Sequence, residues 1–382
     1  MDYDLSLCNS YLEVNFAAMG RNVRRVREHL GDKLGLMVVV KANAYSAGLV
    51  ETAKFLTGEC GVEAIACAQT YEAHMMREAG IATPILVMGG VPFGNIPAVV
   101  EHDVMSPAYN VEYLTRLNAE AKKQEKIAQV HIKVETGLER IGVRPGPALE
   151  EICLCVKSMS NLQAVGAYTH FAESENEDRS YTLQQLACFK EGLAQIRTHG
   201  FTLPYIHAFN SGSIAWLSDP EVTFVRASGI FFGYDPCLEP VNALGNEEIM
   251  SWRAFVTNVH TVQAGDTVGY NRFFTAERET VIATVSAGYG DGYSRQYASF
   301  QGAEFLLHGK RVPVVATCMD QTFLDVTGMD CRVNDTVTLL GADGDEFISV
   351  FEWQRKMGQT YLAILATIAP RVKRIYIHED SK

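Results

Sequence analysis

The segment Val38-Val39-Val40-Lys41-Ala42-Asn43-Ala44-Tyr45 carries the strongest structural signal in this chain, because its apolar β-formers end abruptly in one lysine. A lysine at the end of a buried strand points its amine into the cleft on which the strand opens. If that cleft desolvates the amine, the pKa of the lysine falls and the amine becomes a nucleophile for carbonyl groups, as in a Schiff-base lysine. The alternative is an ordinary strand-end lysine whose amine extends to water.

Seven more apolar runs follow the strand predicted at Leu36–Lys41, and amphipathic helical patterns such as Asn110–Gln124 and Pro147–Met159 lie between most of them. Eight strand–helix units in sequence predict a parallel sheet, and eight strands close a barrel. An open, doubly wound sheet is the alternative, but it would normally carry a Gly-rich phosphate turn after its first strand, and KANAYSAG is not one. The other predicted strands are Glu63–Ala68, Pro84–Gly89, Val104–Tyr109, Gln129–Glu135, Gln163–Phe171, Tyr205–Asn210 and Thr223–Ile230.

After about residue 242 the pattern changes, and short strands separated by Gly/Asp turns dominate, with one helix near Ser349–Met357. We therefore predict an α/β fold: an N-terminal (β/α)8 TIM-like barrel at residues 11–241, followed by a C-terminal mostly-β domain at residues 242–382. Residues 1–10 are expected to pack on the second domain. The predicted C-terminal strands are Trp252–Gln263, Thr280–Ala287, Glu304–Leu307, Arg311–Thr317 and Thr336–Leu340.

Composition excludes several classes of function. With 382 residues, 47% of them hydrophobic, the chain can form a sizeable core, and its net charge of -12 argues against a nucleic-acid or anionic-membrane partner. We find neither a secretory signal at the start nor an apolar run long enough to span a bilayer. The nine cysteines are scattered without a CxxC pair, which indicates reduced thiols in a cytoplasmic protein and predicts no metal site.

Polar residues gather where the predicted barrel strands end, which is the face that carries the active site in barrel enzymes. Lys41 ends the first strand, and the segments Lys133–Arg140, Tyr168–Phe171, His207–Ser213 and Arg226–Gly229 end or follow strands five to eight. Any one of these histidines or serines alone would more often be a core histidine or a helix cap. Backbone N–H groups at Ser211, Ser228 and Gly229 would suit a phosphate.

A strand-end lysine and a phosphate cradle in a barrel together suggest pyridoxal phosphate as the cofactor, which stabilises a carbanion at the α-carbon of an amino-acid substrate. Most such sites place a carboxylate against the pyridine nitrogen, whereas here Arg226 is the better candidate. An arginine keeps that nitrogen unprotonated and makes the ring a weaker electron sink. This favours simple removal and return of a proton.

Seven motifs in order resemble the alanine racemase family of fold-type III pyridoxal-phosphate enzymes: VVVKANAY, KVETGLERIGV, YTHF, HAFNS, VGYNRFF, SAGYGDGYSR and CMDQ. The resemblance runs from about Tyr11 to Arg371. It implies an isomerase with a barrel and a β domain, working as a homodimer whose active sites are shared between subunits. The substrate would be a small amino acid, with L- and D-alanine interconverted.

The resemblance implies a role for each matching residue. Lys41 would be the Schiff-base lysine and one catalytic base, Tyr270 of the other subunit would be the opposite base, and His207 would hold and activate Tyr270. Lys133 matches a lysine that is carbamylated in many members. The residues implied to bind the cofactor, besides Lys41, are Tyr45, Arg140, His170, Asn210, Ser211, Arg226, Ser228, Gly229 and Thr367. The residues implied to bind the substrate are Arg140, Tyr289, Met319 and Asp320; Tyr289 and Met319 have core packing between subunits as their alternative.

The sequence departs from the family pattern at several positions. Ser46 and Ala47 replace a Gly-His pair, Ser228 replaces a glycine, and an arginine usual before CMDQ is missing near Ala316-Thr317. Thr367 stands where the family has a tyrosine close to the substrate, so the pocket is larger and serine or a broader range of amino acids is the main alternative substrate. A fold-type III decarboxylase and a catalytically degenerate homologue are further alternatives.

Overall fold

The structure is a computed structural model, and it describes residues 5, 7–31, 33–235, 242–298 and 302–379. Its described residues group into two units. The barrel unit comprises Met19–Ala44 and Gly48–Glu247. The sheet unit comprises the residues up to Ala18, the short segment Tyr45–Ala47 and the residues from Glu248 onward.

The first described element is strand β1 (Ser10–Asn15), and helix α1 (Phe16–Leu30) follows it directly. The Asn15 side chain accepts a hydrogen bond from the backbone N–H of Ala18 at 2.9 Å. This bond satisfies one of the N–H groups that the first turn of a helix leaves without a partner.

Eight parallel strands form the barrel unit. They pair in the orders β4-β3-β2-β9 and β5-β6-β7-β8. A parallel bridge between Leu86 and Met105 joins the two halves on one side, and the Thr223 N–H donates to the Ile206 carbonyl at 2.9 Å on the other. The predicted (β/α)8 barrel is confirmed. Its strands are β2 (Gly35–Val39), β3 (Ala64–Cys67), β4 (Ile85–Val87), β5 (Ser106–Ala108), β6 (Ala128–Lys133), β7 (Leu162–Tyr168), β8 (Tyr205–His207) and β9 (Phe224–Ala227).

Helices alternate with these strands, and the helix that follows Asn110 matches its sequence signal closely. Asn110 caps its helix by accepting from the Tyr113 N–H at 2.9 Å, as its position predicts. Residues 211–216 form turns, so Ser211 is not a helix cap, which was its ordinary alternative. Gly212 and the nearby Pro220 both disfavour a helix there. The helices are α2 (Lys41–Tyr45), α3 (Leu49–Gly58), α4 (Thr70–Glu78), α5 (Ile96–Glu101), α6 (Val111–Lys123), α7 (Pro147–Ser158) and α8 (Ser180–Arg197).

The element α2 is a left-handed turn. Ala42, Asn43, Ala44 and Tyr45 all have φ between 51° and 56°, and Ser46 follows at 71°. Left-handed helical backbone costs roughly 1–2 kcal/mol per non-glycine residue, so five such residues in succession need support from their surroundings. The strand expected to reach Lys41 ends instead at Val39, because the chain turns away from the sheet there.

Hydrogen bonds from other parts of the barrel unit hold this left-handed turn. The Ala42 N–H donates to the Glu72 carboxylate at 2.6 Å. Asn43 accepts twice, from the Gly48 N–H on its carbonyl at 3.0 Å and from the Leu49 N–H on its side chain at 2.9 Å. The position of the lysine that precedes the turn is therefore fixed by backbone contacts.

A nine-stranded sheet dominates the sheet unit, in the order β18-β17-β14-β15-β16-β13-β10-β1-β19. The predicted mostly-β character of the C-terminal part is confirmed. The strands are β10 (Met250–Val262), β11 (Thr267–Val268), β12 (Phe274–Thr275), β13 (Thr280–Val285), β14 (Glu304–Leu307), β15 (Lys310–Thr317), β16 (Thr322–Asp325), β17 (Thr336–Asp343), β18 (Glu346–Ile348) and β19 (Lys373–Ile377). The helices are α9 (Arg295–Ala298), α10 (Val350–Met357) and α11 (Tyr361–Ala366).

The strand β1 lies inside this sheet, antiparallel to β10 and parallel to β19. The segment Tyr45–Ala47 groups with the same unit, since Arg374 Nε donates to the Ser46 carbonyl at 2.9 Å. The sheet unit is thus assembled from three separate parts of the sequence. The boundary expected between residues 241 and 242 stays a prediction, because residues 236–241 lie outside the described residues.

Candidate active site

Four cationic side chains gather where the barrel strands end. Lys133 is the last residue of β6, Arg226 lies in β9, and Lys41 and Arg140 follow β2 and β6. Burial, and then the charge of Arg140, lowers the pKa of Lys41. Burial likewise lowers the pKa of Lys133 to about 7; Glu135 opposes this shift, while Arg226 and Arg140 add to it. The structure therefore brings together the four cations that the sequence placed on one rim.

Arg226 is buried and held from two sides. Its Nη1 donates to the carbonyl and to Nδ1 of His207, both at 2.8 Å. Its Nη2 donates to the Thr169 carbonyl at 2.7 Å and to His170 Nδ1 at 3.1 Å. Burial lowers the pKa of Arg226 to about 10, so the guanidinium stays charged at neutral pH. A fixed cation therefore lies at the floor of the barrel mouth.

Two neutral histidines flank this arginine. Burial, followed by the charge of Arg226, holds the pKa of His170 and of His207 well below the usual range. Because Arg226 donates to Nδ1 of each ring, the single proton of each neutral ring sits on Nε2. The His207 Nε2–H donates to His131 Nδ1 at 2.8 Å, whereas His170, which is only partly buried, can donate its Nε2–H to another group.

The expected contact between His207 and Tyr270 of the partner subunit stays a prediction, and the surroundings of His207 within this chain do not favour it. The His207 ring is fully buried, both of its nitrogens are hydrogen-bonded, and the Tyr168 ring stacks on it at 5.0 Å with an angle of 8° between the planes. A ring enclosed in this way holds Arg226, and both of its nitrogens are already used in hydrogen bonds. The sequence could not separate His207 from His170, since both lie at strand ends.

The serine-rich segments follow the neighbouring strands β8 and β9. The Ser228 N–H donates to the Ser211 hydroxyl at 3.1 Å, so this N–H is not the free donor that the sequence led us to expect. The Ser211 hydroxyl keeps its own proton available. Asn210 braces the turn, since its side-chain oxygen accepts from the hydroxyls of Ser174 at 2.6 Å and Ser213 at 3.1 Å. Gly229 is buried and opens a 3-10 turn.

In the sheet unit, Tyr270 and Met319 are unusually exposed for apolar side chains, at 68% and 54%. Tyr270 opens a 3-10 turn in which Asn271 and Arg272 have φ of 56° and 54°. Phe273 beside it is 55% exposed. Clusters of exposed apolar side chains commonly mark sites of interaction. Tyr45, by contrast, is buried in this unit's short segment.

One glycine-rich loop, residues 288–292, gathers the remaining substrate-side residues. The Gly290 N–H donates to the Met319 carbonyl at 2.8 Å, and a Cβ on Gly290 would lie 2.9 Å from Met319 Cγ. The Thr367 hydroxyl lies 2.6 Å from the Gly292 carbonyl and 2.7 Å from that of Ile364. The loop therefore brings the half-buried Tyr289, which it contains, together with Met319 and Thr367.

An ion-pair network fixes the same region. Arg371 Nε lies 2.7 Å from the Asp291 carboxylate, and its Nη2 lies 2.8 Å from that of Asp320. Asp291 is buried and also accepts from the Gly288 N–H at 2.8 Å. Asp320, predicted as a substrate-side residue, is thus tied to the glycine-rich loop through one arginine.

The sequence and the fold of this chain are similar to those of known proteins. The family description "Alanine racemase, N-terminal domain" matches residues 14–236, and "Alanine racemase, C-terminal domain" matches residues 249–376. The chain belongs to the alanine racemase family. An alanine racemase of Methanococcus maripaludis is 34% identical over 371 residues, which cover 96% of this chain and 98% of that protein. The prediction of a racemase is confirmed by this membership.

Solved structures of the family are similar over nearly the whole chain. An alanine racemase of Clostridium difficile 630 has a TM-score of 0.93 at 27% identity, with 98% of this chain and 97% of that chain covered. One from Bacillus anthracis, described with bound L-Ala-P, has a TM-score of 0.91 at 31% identity, with 97% and 95% covered. The fold class predicted from the sequence is therefore that of the alanine racemases.

Two residues of the arginine network were missed by the sequence analysis. His131 contacts His207 and lies two residues before the segment that begins at Lys133. Thr169 lies within the YTHF motif, but it accepts from Arg226 through its backbone carbonyl, which the side-chain pattern does not reveal. His131 and Lys133 are two residues apart on β6, so both side chains point to the same side of the strand, into the barrel. This spacing of two could have predicted the position of the His131 side chain from the sequence. A Cβ on Gly166 would lie 2.7 Å from His131 Cγ, so the glycine leaves room for that ring.

Among the described helices, none combines the length and the apolar character that crossing a bilayer would require.

Proposed function

We propose that this alanine racemase homologue interconverts L- and D-alanine with pyridoxal phosphate as its cofactor. The observation that carries the proposal is the fixed, buried Arg226 between two neutral histidines at the mouth of the barrel. An arginine there holds a facing pyridine nitrogen without giving it a proton. A less electron-withdrawing ring suits a reaction that only removes and returns a proton.

The donor set of the barrel mouth fits this cofactor. Burial, and then neighbouring positive charge, lowers the pKa values of Lys41, Lys133 and Arg226, so an anionic ligand would be stabilised among them, and the Ser211 hydroxyl keeps a proton for a phosphate oxygen. We assign the phosphate to Tyr45, Asn210, Ser211 and Gly229, the phenolic oxygen to Arg140, and the ring face to His170. The Ser228 N–H and the Thr367 hydroxyl, which the resemblance also assigned to the phosphate, already donate to other groups in this structure. When bound, pyridoxal phosphate draws electron density from the α-carbon of an amino acid and so acidifies its C–H bond.

Two bases on opposite faces of the substrate complete the proposed reaction, because inversion requires a proton to leave one face and return to the other. Lys41 is one base, and its lowered pKa makes a neutral amine more accessible at neutral pH. Tyr270 is the other. His170 can donate its Nε2 proton to the phenolic oxygen of that tyrosine and so stabilise its anion, the role that the sequence analysis gave to His207.

We further propose that Tyr270 comes from the partner subunit of a homodimer. Its 68% exposure, together with that of Phe273 at the end of the same turn, supports a surface that another subunit covers. In this arrangement Met319, Asp320 and Tyr289 bound the substrate from the same side. The eight cysteines that the structure describes are all free thiols, which supports a cytoplasmic location.

Serine is a second candidate substrate, and one observation favours it. Thr367 replaces a bulky tyrosine, and its hydroxyl proton is directed to the carbonyl of Gly292 or Ile364. The hydroxyl oxygen therefore remains only as an acceptor. It can receive a hydrogen bond from a substrate hydroxyl, which alanine does not have.

Chiral chromatography of single L-amino acids incubated with the purified holoenzyme tests the proposal. We expect L-alanine to be converted until the two enantiomers are equal, and Lys41→Ala to abolish conversion because it removes both the cofactor attachment and one base. Lys54→Ala, which changes an exposed lysine of α3, should keep full activity. Absence of any racemisation by a cofactor-loaded protein would overturn the proposed function.

A further inference from the structure

Three side chains of the metal-ligand type meet on the outer face of the barrel unit, away from the strand ends. His74 and Glu78 lie on α4, and His102 follows α5 directly. His74 Nδ1 and His102 Nε2 are 2.9 Å apart, and the ligand atoms of all three residues lie within 4.8 Å of one another. None of them belongs to the proposed active site.

The arrangement is fixed by the fold. His74 and Glu78 are four residues apart on one helix and so share one face. Arg77 holds the third residue in place, since its Nε donates to the His102 carbonyl at 2.9 Å. Its Nη1 also donates to the carbonyls of Ile81 and Thr83, at 2.6 Å and 2.8 Å. One arginine thus joins the end of α4 to the segment that carries His102.

We propose that His74, Glu78 and His102 bind one divalent transition-metal ion, with Zn²⁺ as the first choice. Two imidazoles and one carboxylate, without a thiolate, suit zinc, cobalt, nickel or copper, whereas calcium and magnesium prefer oxygen ligands alone. His74 and His102 are half-buried and Glu78 is exposed, so an ion has a direct path from solvent. A water molecule would occupy the fourth position.

The distance between the two imidazole nitrogens suits a zinc ion after a small change. In a tetrahedral site with zinc–nitrogen bonds of ~2.0–2.1 Å, two imidazole nitrogens lie ~3.3 Å apart. The 2.9 Å pair therefore has to open by only ~0.4 Å, as the hydrogen bond between the rings is replaced by two bonds to the ion. Glu78 is at the exposed end of its helix, so its side chain can rotate inward to complete the site.

Titration of the full-length protein with CoCl2 and with ZnCl2 tests the proposal. Cobalt should give visible d–d bands at one ion per chain without an intense sulfur-to-metal band, which separates this site from the free cysteines. His74→Ala and His102→Ala should weaken binding by about a hundredfold or more, and Glu78→Gln by about tenfold or more, because losing a ligand costs at least as much as losing an outer-shell partner, which costs ~10–100-fold. Zinc should also raise the thermal midpoint of the wild-type protein but not of His74→Ala.

The matched control is His308→Ala, which removes an exposed histidine paired with one carboxylate, that of Asp335 at 3.2 Å. It should bind metal as the wild type does. Unchanged affinity in His74→Ala, or a sulfur band in the cobalt spectrum, would overturn the site. Unchanged affinity in Glu78→Gln would remove the carboxylate from the ligand set and overturn the three-ligand site. Because Glu78→Gln keeps size and shape, its result does not depend on whether the histidine variants fold.

Discussion

At the scale of single residues, Arg226 sets the chemistry of its neighbours. Its buried charge keeps His170 and His207 neutral, and its two N–H donations fix the proton of each ring on Nε2. The two histidines then differ only in what lies beyond Nε2. His131 closes that position for His207, and His170 alone remains able to act on a substrate-side group.

Thr367 is the residue through which we expect the pocket to select its substrate. We expect Thr367→Tyr to reduce activity on serine and larger amino acids more than on alanine, because the ring refills space beyond a methyl group. The ratio of kcat/KM values should change roughly tenfold or more, the scale of one side-chain contact in a pocket. Steady-state kinetics on alanine and serine would measure it.

Thr367→Val is the matched control for this experiment, since it keeps the size of the side chain and removes the hydroxyl. It should lower activity on serine while leaving alanine nearly unchanged, apart from the loss of a local hydrogen bond to the Gly292 or Ile364 carbonyl. An equal loss on both substrates in Thr367→Tyr would mean that this residue does not select the substrate.

At the scale of elements, α2 stands out because it is left-handed and contains no glycine. Ala42 is exposed and has φ of 53°, so its methyl group contributes strain without burying apolar surface. The turn is retained because Glu72 and Asn43 satisfy its backbone. The turn directs the chain away from β2 at Lys41, so Lys41 lies at the barrel mouth and not in line with the strand.

We expect Ala42→Gly to stabilise the protein by about 1 kcal/mol, since glycine adopts positive φ without the steric cost that alanine carries. Ala119→Gly, at an exposed position of the right-handed helix α6, should destabilise it by a similar amount. Differential scanning calorimetry compares the two thermal midpoints. A fall in both variants would contradict the left-handed geometry of α2.

Most barrel elements could be predicted because their signals are local: apolar runs for the strands, and an N-cap such as Asn110 for a helix. The left-handed turn could not, because Ala-Asn-Ala contains no glycine and the supporting Glu72 lies on a different element. The place of β1 could not be predicted either, since Ser10–Asn15 pairs with strands far away in the sequence. The cluster of His74, Glu78 and His102 was missed for the same reason.

At the scale of the whole molecule, the proposed active site needs two subunits. Lys41→Ala and Tyr270→Phe should each be inactive, and a mixture of the two should regain activity after subunit exchange, because one site of each mixed dimer then contains both bases. Up to about a quarter of wild-type activity is expected if random exchange gives half mixed dimers with one intact site each. The racemisation assay measures it.

Activity should not recover when Lys41→Ala is mixed with a Lys41→Ala, Tyr270→Phe double variant, because no dimer then contains Lys41. This mixture controls for any effect of mixing on protein stability. Subunit exchange itself can be followed with two differently tagged chains. No recovery between the single variants despite proven exchange would show that both bases belong to one subunit.

The place of β1 in the sheet has a consequence for biosynthesis. This strand is synthesised long before one of its two neighbours, β19, which lies more than 300 residues further along the chain. At ~5–20 residues per second, the interval between them is roughly 20–70 s. During that time the edge of β1 that finally pairs with β19 has no partner. We expect early folding of the barrel unit, or binding by a chaperone, to protect this strand edge from aggregation.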